Sequence, residues 1–533
     1  MVETDSIRYR RIRIDNSDDI ARLYPLITDY LRNPTLANSV EELVLTNTIP
    51  DDDQGYLCYA DEETAAVIRT IIEEQDTRVV SQNSPFLPAI KDLGVPDDKV
   101  DEWLRVLTWM DPEVKATREG NEYIARNGFP HRDPLFAQHA AAILVALCPH
   151  IERLTLRDSY YRSPLPDVLI KHNYGQTPGK FLQKLKHVSL LAIDEIIISD
   201  ERFFTTMDFL GLFRLFHRLP AVQSIDVGGV SEDDAGSGWC MHPPHTANFD
   251  TIHIEHSDFS STFLATLIGA PKALRNFSMS VGGRGTLDGG FSDIQPQELG
   301  RALYLQKNTL ESLDLDVDEC VYERHEETGY EIAANAEEEA HKLEYHNADA
   351  WFVIDAADSP GPFPLSQAPL TRTYGSTIGS LHDFTALTHL AIGIKTLLGT
   401  AGEPPFKLVD ALPKSLQSLL LRGYEKGVNT VHDAHVEELM NNRETVLPNL
   451  REVLGVDVVI PSSTLVDDIN EAEEIGGVFW EPETKDTDWL EVAKAEAPRE
   501  SVQDDEPVLA QATETRKGKR KMEEAEIKDA SEE

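Results

Sequence analysis

Between positions 240 and 256 the chain gathers one thiol and four imidazoles: Cys240, His242, His245, His253 and His256. Sulfur and nitrogen donors of this kind suit zinc, and a zinc ion with an open position activates water for hydrolysis. Spacing argues against that chemistry. The residues read CMHPPH and then HIEH, which is neither the HExxH of a helical zinc site nor a paired CxxC framework. Loop and surface histidines are the first reading, and a metal-dependent enzyme using the 240–256 cluster is the alternative. The glycine run VGGRG at 281–285 lacks the lysine and following helix of a phosphate loop, so it reads as a flexible turn. No GxSxG elbow marks a nucleophile. The sequence therefore assigns no catalytic residue, no metal ligand and no cofactor.

A second group is electrostatic. Asp226, His253 and Asp314 occupy the variable place before the third apolar residue, and Glu255 and Asp316 the place just after it, in a recurring pattern: apolar, two variable residues, apolar, one variable, apolar. It occurs nine times, as Val40/Leu43/Leu45, Ile151/Leu154/Leu156, Leu185/Val188/Leu190, Val222/Ile225/Val227, Phe249/Ile252/Ile254, Leu274/Phe277/Met279, Leu310/Leu313/Leu315, Leu387/Leu390/Ile392 and Leu416/Leu419/Leu421. In a strand alternate side chains point to opposite faces, so the apolar residues turn inward and their neighbours line the other side. The pattern matches the LxxLxL core of a leucine-rich repeat, in which a helix returns the chain from each strand to the next. The expected fold class is α/β, a leucine-rich-repeat solenoid. It would have a curved parallel sheet, outer helices and irregular repeats of roughly 25–37 residues.

On such a sheet the central concave columns read Ser224/Asp226/Gly228, Thr251/His253/Glu255, Asn276/Ser278/Ser280 and Ser312/Asp314/Asp316, with no lysine or arginine among them. A protein partner with a basic segment fits that surface, because complementary potential speeds encounter and rejects acidic competitors. The plain alternative is a solvated polar face.

Composition narrows the partners. With 93 acidic and 49 basic residues the formal net charge is −44, which repels a phosphate backbone and argues against nucleic-acid binding. No uncharged apolar run of about 18 residues is present to span a membrane. Cys58, Cys148, Cys240 and Cys320 are scattered without a disulfide framework, which suits a reducing compartment, cytoplasm or nucleus. The basic island Arg516, Lys517, Lys519, Arg520 and Lys521 reads either as a nuclear-import signal or as a chance cluster.

Three regions follow. Residues 1–150 hold an N-terminal strand at 7–14, a helix carrying Ile20, Leu23, Leu26, Ile27, Tyr30 and Leu31 on one face, the first repeat and a helical cap. That cap has helical patterns at 62–74, 99–110 and 135–147. Residues 151–460 form the solenoid, with helices expected at 203–219, 260–268, 296–307 and 406–412, and a weak closing copy at Leu450 and Val453. An acidic insertion occupies 316–380, where Trp351 and Phe352 are candidate anchors for a partner or for the insertion itself. Residues 461–533, with 22 acids and 9 bases, form an acidic tail expected to be disordered.

With the repeats in place, the chain resembles the fungal leucine-rich-repeat proteins of the F-box type. The resemblance rests on YPLITDYLRNPTLANSVEELVL at 24–45, LCPHIERL at 147–154 and TLESLDL at 309–315, and it covers roughly residues 5–460. It implies a substrate-recognition or scaffold protein linked to ubiquitin ligases, in which an F-box docks a Skp1-type subunit. The residues ahead of the first helix show no F-box pattern.

Overall fold

The computed structural model describes residues 7–46, 70, 77–81, 83–118, 132–157, 163–191, 203–232, 243–285, 292, 294–321, 376–400, 404–463 and 488–492. Its strands in chain order are β1 (Tyr9–Ile14), β2 (Glu42–Leu45), β3 (Arg153–Arg157), β4 (His187–Leu191), β5 (Thr205–Met207), β6 (Ser224–Gly228), β7 (Val230–Glu232), β8 (Thr251–Glu255), β9 (Asn276–Ser280), β10 (Ser312–Asp316), β11 (His389–Gly393), β12 (Ser418–Arg422), β13 (Glu452–Leu454) and β14 (Leu490–Glu491). All nine apolar triads reach into strands of one α/β sheet of twelve strands, ordered β13-β12-β11-β10-β9-β8-β6-β4-β3-β2-β1-β14. From β1 to β13 every neighbouring pair is parallel.

Register follows from burial. The middle residues of the triads, Leu43, Leu154, Val188, Ile225, Ile252, Phe277, Leu313, Leu390 and Leu419, align in one row across the sheet, and each is buried. A slip of one residue would turn that row to solvent, so the pairing is strongly specified. A main-chain device reinforces it. The carbonyl of Glu41 accepts the N–H groups of both Glu152 and Arg153, and Glu152 does the same for Lys186 and His187. The arrangement repeats at Lys186, Gln223, Asp250, Arg275, Glu311, Thr388 and Gln417. Side chains at these places add the exposed pairs Arg10–Glu41, Glu152–Lys186 and Arg275–Glu311, which contribute little in water.

The N-terminal helix Ser17–Arg32 starts at Asn16, whose side chain accepts the N–H groups of Asp18 and Asp19, and stops at Asn33 ahead of Pro34. Its apolar face, with Leu23, Ile27 and Tyr30, is buried and packs against helix Arg132–Leu147. Because β2 pairs directly with β3, the long stretch between them is one expanded crossover. It contains helices Leu87–Asp92, Val100–Leu107, Pro112–Arg118 and Arg132–Leu147. The helix expected at 62–74 lies, apart from Thr70, outside the described residues. Helices Ser261–Gly269 and Pro296–Leu305 form where the periodicity places them.

Two expectations are corrected. Residues 203–219 are not one helix: Thr205–Met207 is β5, which pairs in parallel with β7 to form a separate two-stranded sheet, and only Phe209–Phe213 is helical. The β-branched Thr205 and Thr206 favour the strand, and Asp208 then starts the helix by accepting the Gly211 N–H. The tail expected to lack order from 461 is also fixed at two places. Ser463 donates to Asp316, and β14 pairs antiparallel with β1. Among the described residues no helix is long and apolar enough to cross a membrane.

His139, on helix Arg132–Leu147, gives the fold an acid weakness. Burial lowers its pKa from 6.5 to about 4, against a smaller opposing contribution from its hydrogen bond to the Leu135 carbonyl. The folded chain therefore keeps the ring neutral while the unfolded chain takes up a proton. Stability present above pH 6.5 is lost as the pH falls towards 4, by up to about 3 kcal/mol. Urea titrations should show wild type losing stability relative to His139→Met over that window; a constant difference would contradict the buried neutral ring.

Candidate recognition surface on the polar face of the sheet

The residues between the buried rows form the opposite face. Register sets Ser189, Asp226, His253, Ser278 and Asp314 side by side along the strand centres. Gly228 and Glu255 pair one step further along, as do Ser280 and Asp316. The side chains of Asp314, His253 and Glu255 are 40 %, 41 % and 47 % exposed, so this face is open to a ligand at its centre. His253 Nε2 lies 2.6 Å from Glu255 Oε1 on the same strand, which orients the ring and occupies one carboxylate oxygen. Small side chains surround the acids. Ser189 and Ser278 flank the Asp226–His253 pair, and Gly228 beside Glu255 carries no side chain, leaving room for an incoming ammonium or guanidinium.

Asp314 and Asp316 have a different part. The Arg422 guanidinium reaches from β12 across β11 to both: its Nη2 is 3.2 Å from Asp314 Oδ2 and its Nε is 3.6 Å from Asp316 Oδ2. The intervening strand carries Ala391 and Gly393 in those two columns, and their small size lets the long side chain lie over the sheet. Asp316 is only 7 % exposed and also accepts the Ser463 N–H and hydroxyl, the latter at 2.8 Å. The acidic patch expected at four carboxylates is therefore corrected: Asp316 is an internal tie, Asp314 is partly neutralised, and Glu255 shares one oxygen with His253. The compensating cation was missed because it sits two strands away. The signal was a diagonal one, an arginine facing two acids over an alanine and a glycine.

Beside this surface lies Asp318, which is buried at 2 % exposure just past β10. Its Oδ2 accepts the Lys395 N–H at 2.8 Å, and its Oδ1 accepts the Thr396 N–H at 2.9 Å and the Thr396 hydroxyl at 2.7 Å. Burial raises its pKa, opposed by those donors. The carboxylate thus ties the start of the insertion to the first turn of the helix Ile394–Leu398 that follows β11. A Cβ on Gly393 would stand 2.0 Å from Asp318 Oδ1, so that position must stay bare.

The other sequence candidates disperse. Cys240 and His242 lie outside the described residues, as do Trp351 and Phe352 of the insertion. His253 projects onto the polar face, while His245 ahead of the strand and His256 just after it sit at positive φ of 58° and 44°. Among the described residues no three His, Cys, Asp or Glu side chains converge as metal ligands. The glycine run is a built turn rather than a flexible one. Residues 281–285 are buried, Gly282 and Gly283 adopt φ of +87° and +76°, and Arg284 donates to the Phe203 carbonyl at 3.3 Å. Comparison with protein-family models finds no match, and neither does comparison with curated proteins.

Proposed function

We propose that this chain is a leucine-rich-repeat solenoid that recognises a protein partner bearing a basic segment, without catalysis. What supports the repeat reading is that each apolar triad supplies one parallel strand, in chain order, with helical crossovers between strands. The observation that carries the recognition reading is the half-exposed His253 and Glu255 pair, with the partly buried Asp226 in register beside it, set among serines and a glycine on adjacent strands. Repeat proteins present such extended faces to partners, and paired carboxylates there accept lysine or arginine in charge-assisted hydrogen bonds.

An arginine-rich peptide titrated by fluorescence anisotropy tests this. The full-length Asp226→Asn/Glu255→Gln variant should bind at least about tenfold more weakly than wild type, and wild-type binding should fall as salt rises. Equal affinity in both chains would return the face to an ordinary solvated surface.

The resemblance carried by residues 24–45, 147–154 and 309–315 makes the substrate-recognition part of an F-box-type ubiquitin-ligase adaptor the specific form of this reading. Stoichiometric co-purification of a Skp1-type subunit supports it, and a purified chain without that subunit favours a plain scaffold. Zinc bound in stoichiometric amount would favour the metal-enzyme alternative instead.

A further inference from the structure

The N-terminal edge of the sheet is occupied by a segment from the far end of the chain. Residues 488–492 lie antiparallel along β1, with Tyr9 opposite Glu491 and Arg11 opposite Leu490, and the Val492 N–H donates to the Arg8 carbonyl at 2.8 Å. We propose that this edge is a peptide-recognition site for an extended segment in which an acidic residue is followed by tryptophan. Residues 488–492 are its intramolecular ligand.

Four side chains close together in sequence do the reading. The Trp489 indole N–H donates to Asp19 Oδ1 at 2.8 Å. Asp19 is 2 % exposed; Arg13 Nε holds its Oδ2 at 2.8 Å and Arg13 Nη2 reaches its Oδ1 at 3.4 Å, which fixes the carboxylate with Oδ1 facing the edge. The Arg22 guanidinium lies 4.0 Å from the centre of the Trp489 ring, and Tyr9 meets that ring edge-on at 5.1 Å. Arg13 Nη1 is also 2.9 Å from Asp488 Oδ1.

Merely covering an edge strand requires main-chain pairing and any polar sequence. Here the exposed apolar residues Leu490 and Val492 stay 36 % and 43 % open, so burial of aliphatic surface does not hold the strand. Selectivity comes from the tryptophan, read at its N–H, its face and its edge, and from the aspartate before it. This is strand addition with side-chain specificity, performed by the chain on itself. A tethered ligand has an effective concentration of about 1 mM or more, so a seated segment implies that the same sequence binds in trans with a Kd below roughly that value. The site opens when the C-terminal segment is displaced, and it then accepts an Asp-Trp strand from elsewhere, a second copy of this chain included.

The test uses the full-length chain and its Asp488→Ala/Trp489→Ala variant, each titrated with a labelled peptide of residues 485–494. The variant should bind with a Kd below about 1 mM, and wild type, whose own segment competes, at least about twofold more weakly. On the variant, a peptide carrying Trp489→Leu should lose at least tenfold. Should the double variant fail to unfold cooperatively, full-length Trp489→Leu, which keeps an apolar cover over Asp19, serves as receptor instead. No binding to a folded variant up to 1 mM, equal binding to both chains, or equal binding of the leucine peptide would each overturn the proposal.

Discussion

Leu313→Asp should unfold the centre of the sheet. Leu313 is 1 % exposed in β10, in register with Phe277 on one side and Leu390 on the other. Losing its burial removes about 1.5–3 kcal/mol, and a carboxylate placed in that row has no partner, which costs several kcal/mol more. The combined loss of about 5 kcal/mol or more approaches the whole stability of many domains. Urea unfolding followed by far-UV circular dichroism should show a lost or broadened transition. The control is Ser278→Asp on neighbouring β9, which adds the same charge to the polar face and should change stability by less than about 1 kcal/mol. Similar curves for the two variants would contradict the assignment of faces.

Asp318→Ala should be the next most damaging change. It leaves the buried Lys395 and Thr396 N–H groups and the Thr396 hydroxyl without their acceptor. At about 1–3 kcal/mol for each orphaned group, and with some relaxation, a loss of about 3–5 kcal/mol is expected. Asp318→Asn should cost less, since one oxygen remains while the new amide N–H₂ faces a donor. The pH dependence separates charge from hydrogen bonding. The folded pKa of Asp318 is raised by burial above its ordinary 3.8, so the native state binds this proton more tightly than the unfolded chain. Wild type should therefore gain stability relative to Asp318→Asn as the pH falls from neutral through that raised pKa, opposite in sign to His139. A difference independent of pH would show that the carboxylate is not charged at a cost in the fold.

The two positions differ in how they could be found. Leu313 is legible from the one-dimensional pattern, because a strand has a period of two and the triad marks which residues turn inward. Asp318 carries no such mark. It lies three residues past the triad in an acidic stretch, and only the approach of Gly393 and Thr396, more than 70 positions later, shows that this acid is buried. Arg422 is equally unmarked: its partners lie diagonally across β11, beyond the nearest-neighbour spacing that a column reading treats. The same limit applies to Trp489: its acidic surroundings read as a solvated tail, while its partner Asp19 stands 470 positions earlier. Thr205 and Thr206 show the opposite failure. Their neighbours are apolar enough to suit a helix, and the pairing with β7 decides for a strand.

By itself the sequence determined the nine repeated strands, their inward residues and the side on which Asp226, His253 and Glu255 stand, because backbone geometry imposes the period of two wherever one face is dry. Tertiary structure alone decided which charges survive on that face and which segments close the sheet. Those outcomes depend on side chains tens to hundreds of positions apart meeting within a few ångströms, and a charge is free or neutralised only according to what has come within that distance.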